Sequence, residues 1–326
     1  MTTDARESTT IVAKFFRLKE KTAMAEGTLI LILVAFFIFL TLSTDRFLTL
    51  HNLSNLVRQT SIIGIVAIGM TFVIISAGID LSVGSVVGFS GIVIAMLLKA
   101  GVPILLAIPV TLALGTVIGL VSGIIIHNGK VTPFIATLGM MTIVRGVVML
   151  LSGARMVSGL PKAFSHFAQL TIAGLPALFF VWLIVIICTM LMTKYLRFGR
   201  NVFAIGSNQE AARLSGINIQ TNMYKIYGTC AFTASLAGIL VTSRLANGVP
   251  TAGTGYELDA IAAAVVGGAS LFGGEGSILG TVLGAMLIAT LRNGGNLLGI
   301  NPFILQIAIG VLIIAAVMVD QLSKNK

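Results

Sequence analysis

The 326 residues are 56% hydrophobic and only 10% charged, with a mean hydropathy of +1.04 and a formal net charge of +10. A soluble globular domain carries about 25% charged residues, so this composition excludes that class. The basic residues sit at the ends of apolar runs, which points to membrane topology rather than a nucleic-acid partner; the two cysteines, both within apolar runs, support neither a disulfide scaffold nor a metal site.

The amino-terminal segment 1–27 is too long and too mixed in charge for a cleaved signal, and its basic residues Arg6, Lys14, Arg17, Lys19 and Lys21 hold it on the inner face. The membrane domain, 28–320, then shows apolar runs at about 28–43, 56–76, 82–98, 103–126 and 133–151, and again at about 171–192, 224–243, 258–270, 277–292 and 303–319. Most are long enough for a helix to cross a bilayer, whereas 258–270 is short. This predicts an all-α polytopic membrane protein of about ten transmembrane helices, with both ends, including the tail 321–326, in the cytoplasm. Thirteen Lys and Arg residues then fall in inner segments and seven in outer or flanking positions, with Arg145 inside the fifth run. Glycines spaced by four, at 84 and 88, at 115, 119 and 123, and at 276, 280 and 284, predict smooth stripes for close helix packing.

Two polar, glycine-rich interruptions, GIDLSVGS at 78–85 and LFGGEGSILG at 271–280, break the apolar pattern. Corresponding breaks in two halves of opposite orientation suggest inverted repeats with broken helices. Asp80 in the first break reads as a cap for the helix starting near Leu81, with an ion or proton relay as the alternative. Arg145 is costly inside a span, so it pairs, faces the protein interior or snorkels; a substrate contact is the sharper alternative. Glu257 and Asp259 are expected at the outer start of the eighth span, after an outer loop 244–257, where they favour the positive helix end. Glu275 reads as a cap or an inner-face contact in the GGEG turn.

The long polar interval 194–225 is the most informative stretch. Lys194, Arg197, Arg200, Arg213 and Lys225 outweigh the single acid Glu210, so it belongs inside. Within it SNQEAARLSG predicts a short helix, capped by Ser207 or Asn208 and stopped by Gly216. There is no GxxxxGK[ST] phosphate loop, HExxH pair or nucleophile motif, so the chain is expected to hold no cofactor and to hydrolyse nothing itself.

Several long segments resemble the permease subunits of bacterial ABC importers for monosaccharides, especially the ribose type: GMTFVIISAGIDLSVGS at 69–85, TPFIATLGMMTIVRG at 132–146, GRNVFAIGSNQEAARLSGI at 199–217, PTAGTGYELDAIAA at 250–263, VVGGASLFGGEGSILGTVLGA at 265–285 and NGGNLLGI at 293–300. The likeness runs in order from about Phe47 to Asp320. It implies a second permease subunit, a cytoplasmic ABC ATPase that uses ATP and Mg2+, and a periplasmic sugar-binding protein, for which Glu257 would be a candidate contact. It also implies that the helix Asn208–Gly216 docks the ATPase. Ala211 and Ala212 would then offer small surfaces to a partner groove, Glu210 and Arg213 would set orientation by charge, and Gly216 would let the chain turn; a plain solvated loop is the alternative. The implied cargo is ribose or a related sugar such as allose, moved from periplasm to cytoplasm across the inner membrane. The rival readings are a branched-chain amino-acid ABC permease and a secondary transporter.

Overall fold

The computed structural model describes residues 26–324, so the predicted segment 1–27 lies outside the described residues as far as residue 25, and the predicted tail 321–326 does so in its last two residues. The first half contains α1 (Glu26–Ser43), α2 (Leu50–Ile75), α3 (Val83–Lys99), α4 (Ile104–Asn128), α5 (Pro133–Ser152), the short α6 (Lys162–Phe167) and α7 (Ala177–Tyr195). The second half contains α8 (Arg197–Ser207), α9 (Gln209–Leu214), α10 (Ile219–Leu245), α11 (Tyr256–Val266), α12 (Ile278–Leu297) and α13 (Pro302–Lys324). Among the described residues, eight of these helices are long and apolar enough to cross a membrane. The apolar α3 and α11 are shorter, at 17 and 11 residues.

Every predicted apolar run therefore carries a helix, and the chain is an all-α multi-pass membrane protein. The sixth run starts later than the predicted 171. Ala173 and Gly174 both take positive φ, 49° and 84°, and turn the chain into a two-residue hairpin, β1 (Thr171–Ile172) on β2 (Leu175–Pro176). Such paired left-handed residues are what a tight hairpin needs. Pro176, with no N–H to leave unpaired, then leads into α7.

Burial sorts the helices into a centre and a rim. The most apolar stretches of α2 and α10 are 89% and 83% buried, against 12–28% for α1, α4, α5, α7 and α13, whose exposed faces are almost wholly aliphatic or aromatic. The rim helices thus offer the surface that lipid or another protein can cover. Close packing at the centre depends on missing side chains. On α4 a Cβ at Gly119 would meet the Tyr227 carbonyl of α10, and one at Gly123 would lie 3.0 Å from the Tyr224 Cα. Gly280 and Gly284 of α12 sit in the same way on the backbone of Gly267 and Ala263. Backbones brought this close gain dispersion contacts that apolar lipid cannot outcompete. Polar side chains close the gaps: Asn52 and Asn293 exchange hydrogen bonds of 3.1 and 2.8 Å, Thr71 meets Thr281 at 2.7 Å, and Ser90 donates to Ser235 at 2.8 Å.

The face that carries α8 and α9 also carries both ends of the described chain. Ser277 Oγ donates to Glu26 Oε1 at 2.6 Å, and Ser270 Oγ donates to Asp320 Oδ2 at 2.8 Å. The first glycine-rich interruption starts from this same face and runs into the bundle as far as Gly84, and the second touches its start, since the Gly274 N–H donates to the Ile75 carbonyl at 2.8 Å and a Cβ at Gly273 would meet Ala77. Two breaks that meet on one face cannot be exchanged by a two-fold axis in the membrane plane, so they are not the corresponding breaks of inverted repeats. A further broken span starts from the opposite face. Gly248 is bridged to Val157 on the opposite face, and the chain then descends without helix until α11 begins at Tyr256. At 1.5 Å per residue α11 covers about 16 Å, roughly half of a ~30 Å hydrocarbon core. The stretch expected as an outer loop, 244–257, is in its later part a re-entrant segment, and Glu257 and Asp259 sit deep instead of at the outer surface.

The glycine contacts give a direct test. Gly119→Ala places a methyl on a backbone carbonyl, and overpacking of this kind costs about 1–3 kcal/mol. Purified in detergent, the variant is expected to melt several degrees below the parent. Gly310→Ala on α13, where a Cβ has nothing within 4 Å, is expected to melt with the parent or above it. Equal melting of the two variants contradicts the close α4–α10 approach.

Candidate coupling site

The polar interval 194–225 folds into two helices and not one. Leu196 is extended, and the chain then re-enters a helix, α8, whose Gly199, Val202 and Ile205 are buried while Arg197 and Arg200 are exposed. The three-residue spacing of the buried positions lays α8 flat on the end of the bundle with its cations outward. Ser207 finishes α8, donating to the Phe203 carbonyl at 2.9 Å. Asn208 is extended, and its Oδ1 accepts from the Ala211 N–H at 2.9 Å, so it caps α9. Gly216 follows at φ +82°, a left-handed conformation that glycine takes without strain.

On α9 the predicted residues divide. Glu210, Ala211, Arg213 and Gly216 are exposed, and Glu210 and Arg213 form a two-pronged ion pair at 2.6 and 3.0 Å. That pair, through hydrogen bonds first, holds the Glu210 carboxyl below and the Arg213 guanidinium above their ordinary values. Ala212 points the other way and is buried, so it cannot enter a partner groove as expected; it fixes α9 to the bundle. Leu214, which sequence reasoning passed over, is 73% exposed beside the ion pair. An apolar side chain left in water on a charged helix is the signal that could have marked it.

Behind α9 lies a junction made of main chain. A Cβ on Gly206 would fall on the Ile75 carbonyl at the end of α2 and 2.6 Å from the Gly274 N–H, which itself donates to that carbonyl. Gly274 in turn lies against Ser207. The end of α8, the end of α2 and the 267–277 turn are therefore locked by backbone contact. Asn201 adds a hydrogen bond of 3.3 Å to Asn222 on α10. A cleft of about 510 Å³ opens beside the junction, lined by Ser76, Gly78, His127, Lys130, Gly206 and Gln209 among others.

The remaining predicted residues are scattered. Asp80 is fully buried just before α3; its Oδ1 accepts from the Ser82 N–H at 2.9 Å and from Ser82 Oγ at 2.6 Å, with Cys230 and Tyr227 of α10 as neighbours. Arg145 donates through Nη1 to the carbonyls of Pro250 and Ala252 at 2.8 and 3.2 Å. Asp259 accepts from Arg292 at 2.7 Å, and Glu257 Oε1 accepts from the Gly255 N–H at 3.2 Å. Glu275 contributes its backbone carbonyl, which accepts from the Ser270 N–H at 3.1 Å. None of the five lies on α9.

Residues 52–319 match the family described as branched-chain amino acid transport system / permease component. The chain belongs to that family. This permease is accordingly a transport component and not an enzyme, and its long apolar helices make it a multi-pass inner-membrane protein. It is 44% identical to the ribose import permease protein of Escherichia coli K12 over 301 residues, which are 91% of this chain and 94% of that one. It is 37% identical to the D-allose transport system permease protein of the same strain, over 91% of each chain. Against the galactose/methyl galactoside import permease protein of Salmonella typhimurium the identity is 39%, over 92% of this chain and 95% of that one. No solved structure matches the permease.

Asn208→Ala removes the α9 cap, a change worth about 1 kcal/mol, or about fivefold in a local opening equilibrium. Amide hydrogen exchange at 209–214 is expected to speed by that factor while α10 keeps the parent's protection; unchanged exchange on α9 contradicts the cap.

Proposed function

We propose that this permease is the membrane subunit of an ATP-driven importer that carries a monosaccharide, ribose or a related sugar such as allose, from periplasm to cytoplasm. The observation that carries the substrate reading is the 44% identity over 91% of the chain with a ribose import permease, alongside allose and galactose permeases at similar coverage. The family's own description favours a second reading, branched-chain amino acids. Ribose import permease proteins of Escherichia coli and Haemophilus influenzae are 44% and 43% identical to this chain, and we place the sugar first.

In this reading the permease works with a second permease subunit, identical or a close paralogue. Two cytoplasmic ATP-binding subunits hold ATP and Mg2+, and a periplasmic binding protein delivers the sugar. The α8–α9 face is cytoplasmic, as its basic residues favour, and α9 is the ATPase-coupling element. Asn208 holds the helix; Glu210, Ala211, Arg213 and Leu214 meet the ATPase; Gly216 turns the chain back. Closure of the ATPase pair on ATP moves α9, and the Gly206 junction passes that displacement to α2 and the 267–277 turn. A capped helix seated on backbone transmits a defined movement, which a loop cannot. No bond of the sugar is made or broken.

Two measurements test this. Leu214→Ala combined with Glu210→Arg, which sets two like charges against each other, is expected to cut binding-protein-stimulated ATP hydrolysis at least tenfold in the reconstituted complex, without loss of permease from the membrane. Coupling at the parent's level removes α9 from the role. Labelled ribose is expected to bind the cognate periplasmic protein and to enter vesicles with ATP; uptake of leucine in its place selects the amino-acid reading.

A further inference from the structure

The re-entrant stretch between α10 and α11 has a property that lipid does not permit. Its depth follows from its contacts with α3 and α5. Gly88 of α3, whose Cβ would lie 2.9 Å from both the Ala252 carbonyl and Arg145 Nη1, is eleven residues short of the outer end of α3 at Lys99, or about 16 Å. Gly84, packed against the Gly253 carbonyl and the Glu257 carboxylate, is four residues deeper. Arg145 is the thirteenth residue of the twenty in α5, about 18 Å from one end and 10 Å from the other. Residues 250–257 therefore lie in the middle of the membrane span, and α11 starts there.

At that depth the segment is not sealed. Thr251, Thr254 and Leu258 are exposed, and Ala252, Gly255, Tyr256 and Glu257 are half-buried. Thr254 Oγ1 donates to the Thr251 carbonyl at 2.8 Å, and the segment's other polar groups include the carbonyls bound by Arg145. Among the described residues Glu257 forms no salt bridge. Thr142, one turn before Arg145 on α5, is exposed as well. Irregular backbone, hydroxyls and a carboxylate are unfavourable against acyl chains, which offer no hydrogen bonds, and at membrane depth such backbone survives only inside protein or along water. Arg145 is the positioning residue, since its two hydrogen bonds hold the descending chain against α5.

We propose that the segment from Pro250 to Glu257, together with Thr142 of α5, lines the aqueous route through which this permease passes its cargo. Its hydroxyls and carbonyls suit an uncharged polyhydroxylated solute, because they can exchange places with the water around sugar hydroxyls, while the Glu257 carboxylate is offset by the nearby Arg145 guanidinium. The class of solute rests on the monosaccharide reading above; the location of the route does not.

The test uses the whole complex in membrane vesicles, with Cys188→Ser to remove the exposed native thiol. Thr251→Cys, Thr254→Cys and Thr142→Cys are compared with Ile184→Cys on α7 and Val311→Cys on α13, both more than half exposed at similar depth. A charged methanethiosulfonate, whose sulfur is attacked by thiolates in water with loss of methanesulfinate, is expected to modify the cysteines at the three threonine positions at least tenfold faster than the two comparators and to abolish uptake. Each variant is first required to purify as a monodisperse protein and to retain uptake before labelling, so that a folding failure is not scored; three positions keep the test decisive if one is lost. Modification no faster than at Ile184→Cys and Val311→Cys overturns the route. Fast modification in a complex that takes up leucine and not ribose upholds the route and overturns the monosaccharide reading.

Discussion

Three stretches of main chain meet at Gly206 with no side chain between them: the end of α8, the last carbonyl of α2, and the turn that joins α11 to α12. A contact between backbones cannot relax by a rotamer change, so whatever displaces α8 must displace the other two or break the Gly274–Ile75 hydrogen bond. α2 is the most buried membrane-length helix in the molecule and packs against α10, α11 and α12. The exposed helix α9 is thus attached, through one glycine, to the part of the bundle with the least freedom to deform.

The other end of this linkage is the broken span. α11 is short because the chain reaches its starting depth as re-entrant backbone, held by Arg145 on one side and by Gly84 and Gly88 on the other. α11 ends at the same 267–277 turn that rests on Gly206. The α8–α9 face and the mid-membrane segment are therefore separated by the 267–277 turn and one half-helix, and Asp259, paired with Arg292, ties that half-helix to α12.

Much of this was legible in the chain. Apolar runs mark every crossing, because a helix in lipid must be apolar over its length, and the basic interval 194–225 stands out for the same reason in reverse. The SNQEAARLSG helix was readable from its Asn cap and terminal glycine. What could not be read depends on contacts distant in sequence. PTAGTGYE has the composition of a surface loop, and only the facing glycines of α3 and the arginine of α5 show that it enters the membrane. Ala211 and Ala212 are indistinguishable as letters, yet docking of α9 buries one and exposes the other. The two glycine-rich interruptions suggested symmetric breaks because composition does not reveal which face a turn occupies.

Joined at Gly206, α9 and the 267–277 turn are expected to move as one body. Spin labels at Ser215, exposed at the end of α9, and at Phe272, 52% exposed in the turn, would report their separation in the assembled complex by pulsed dipolar spectroscopy. One distance, the same in the nucleotide-free and ATP-bound states, is the predicted result. A shift of several ångströms between those states would show the junction sliding and α9 moving apart from the turn.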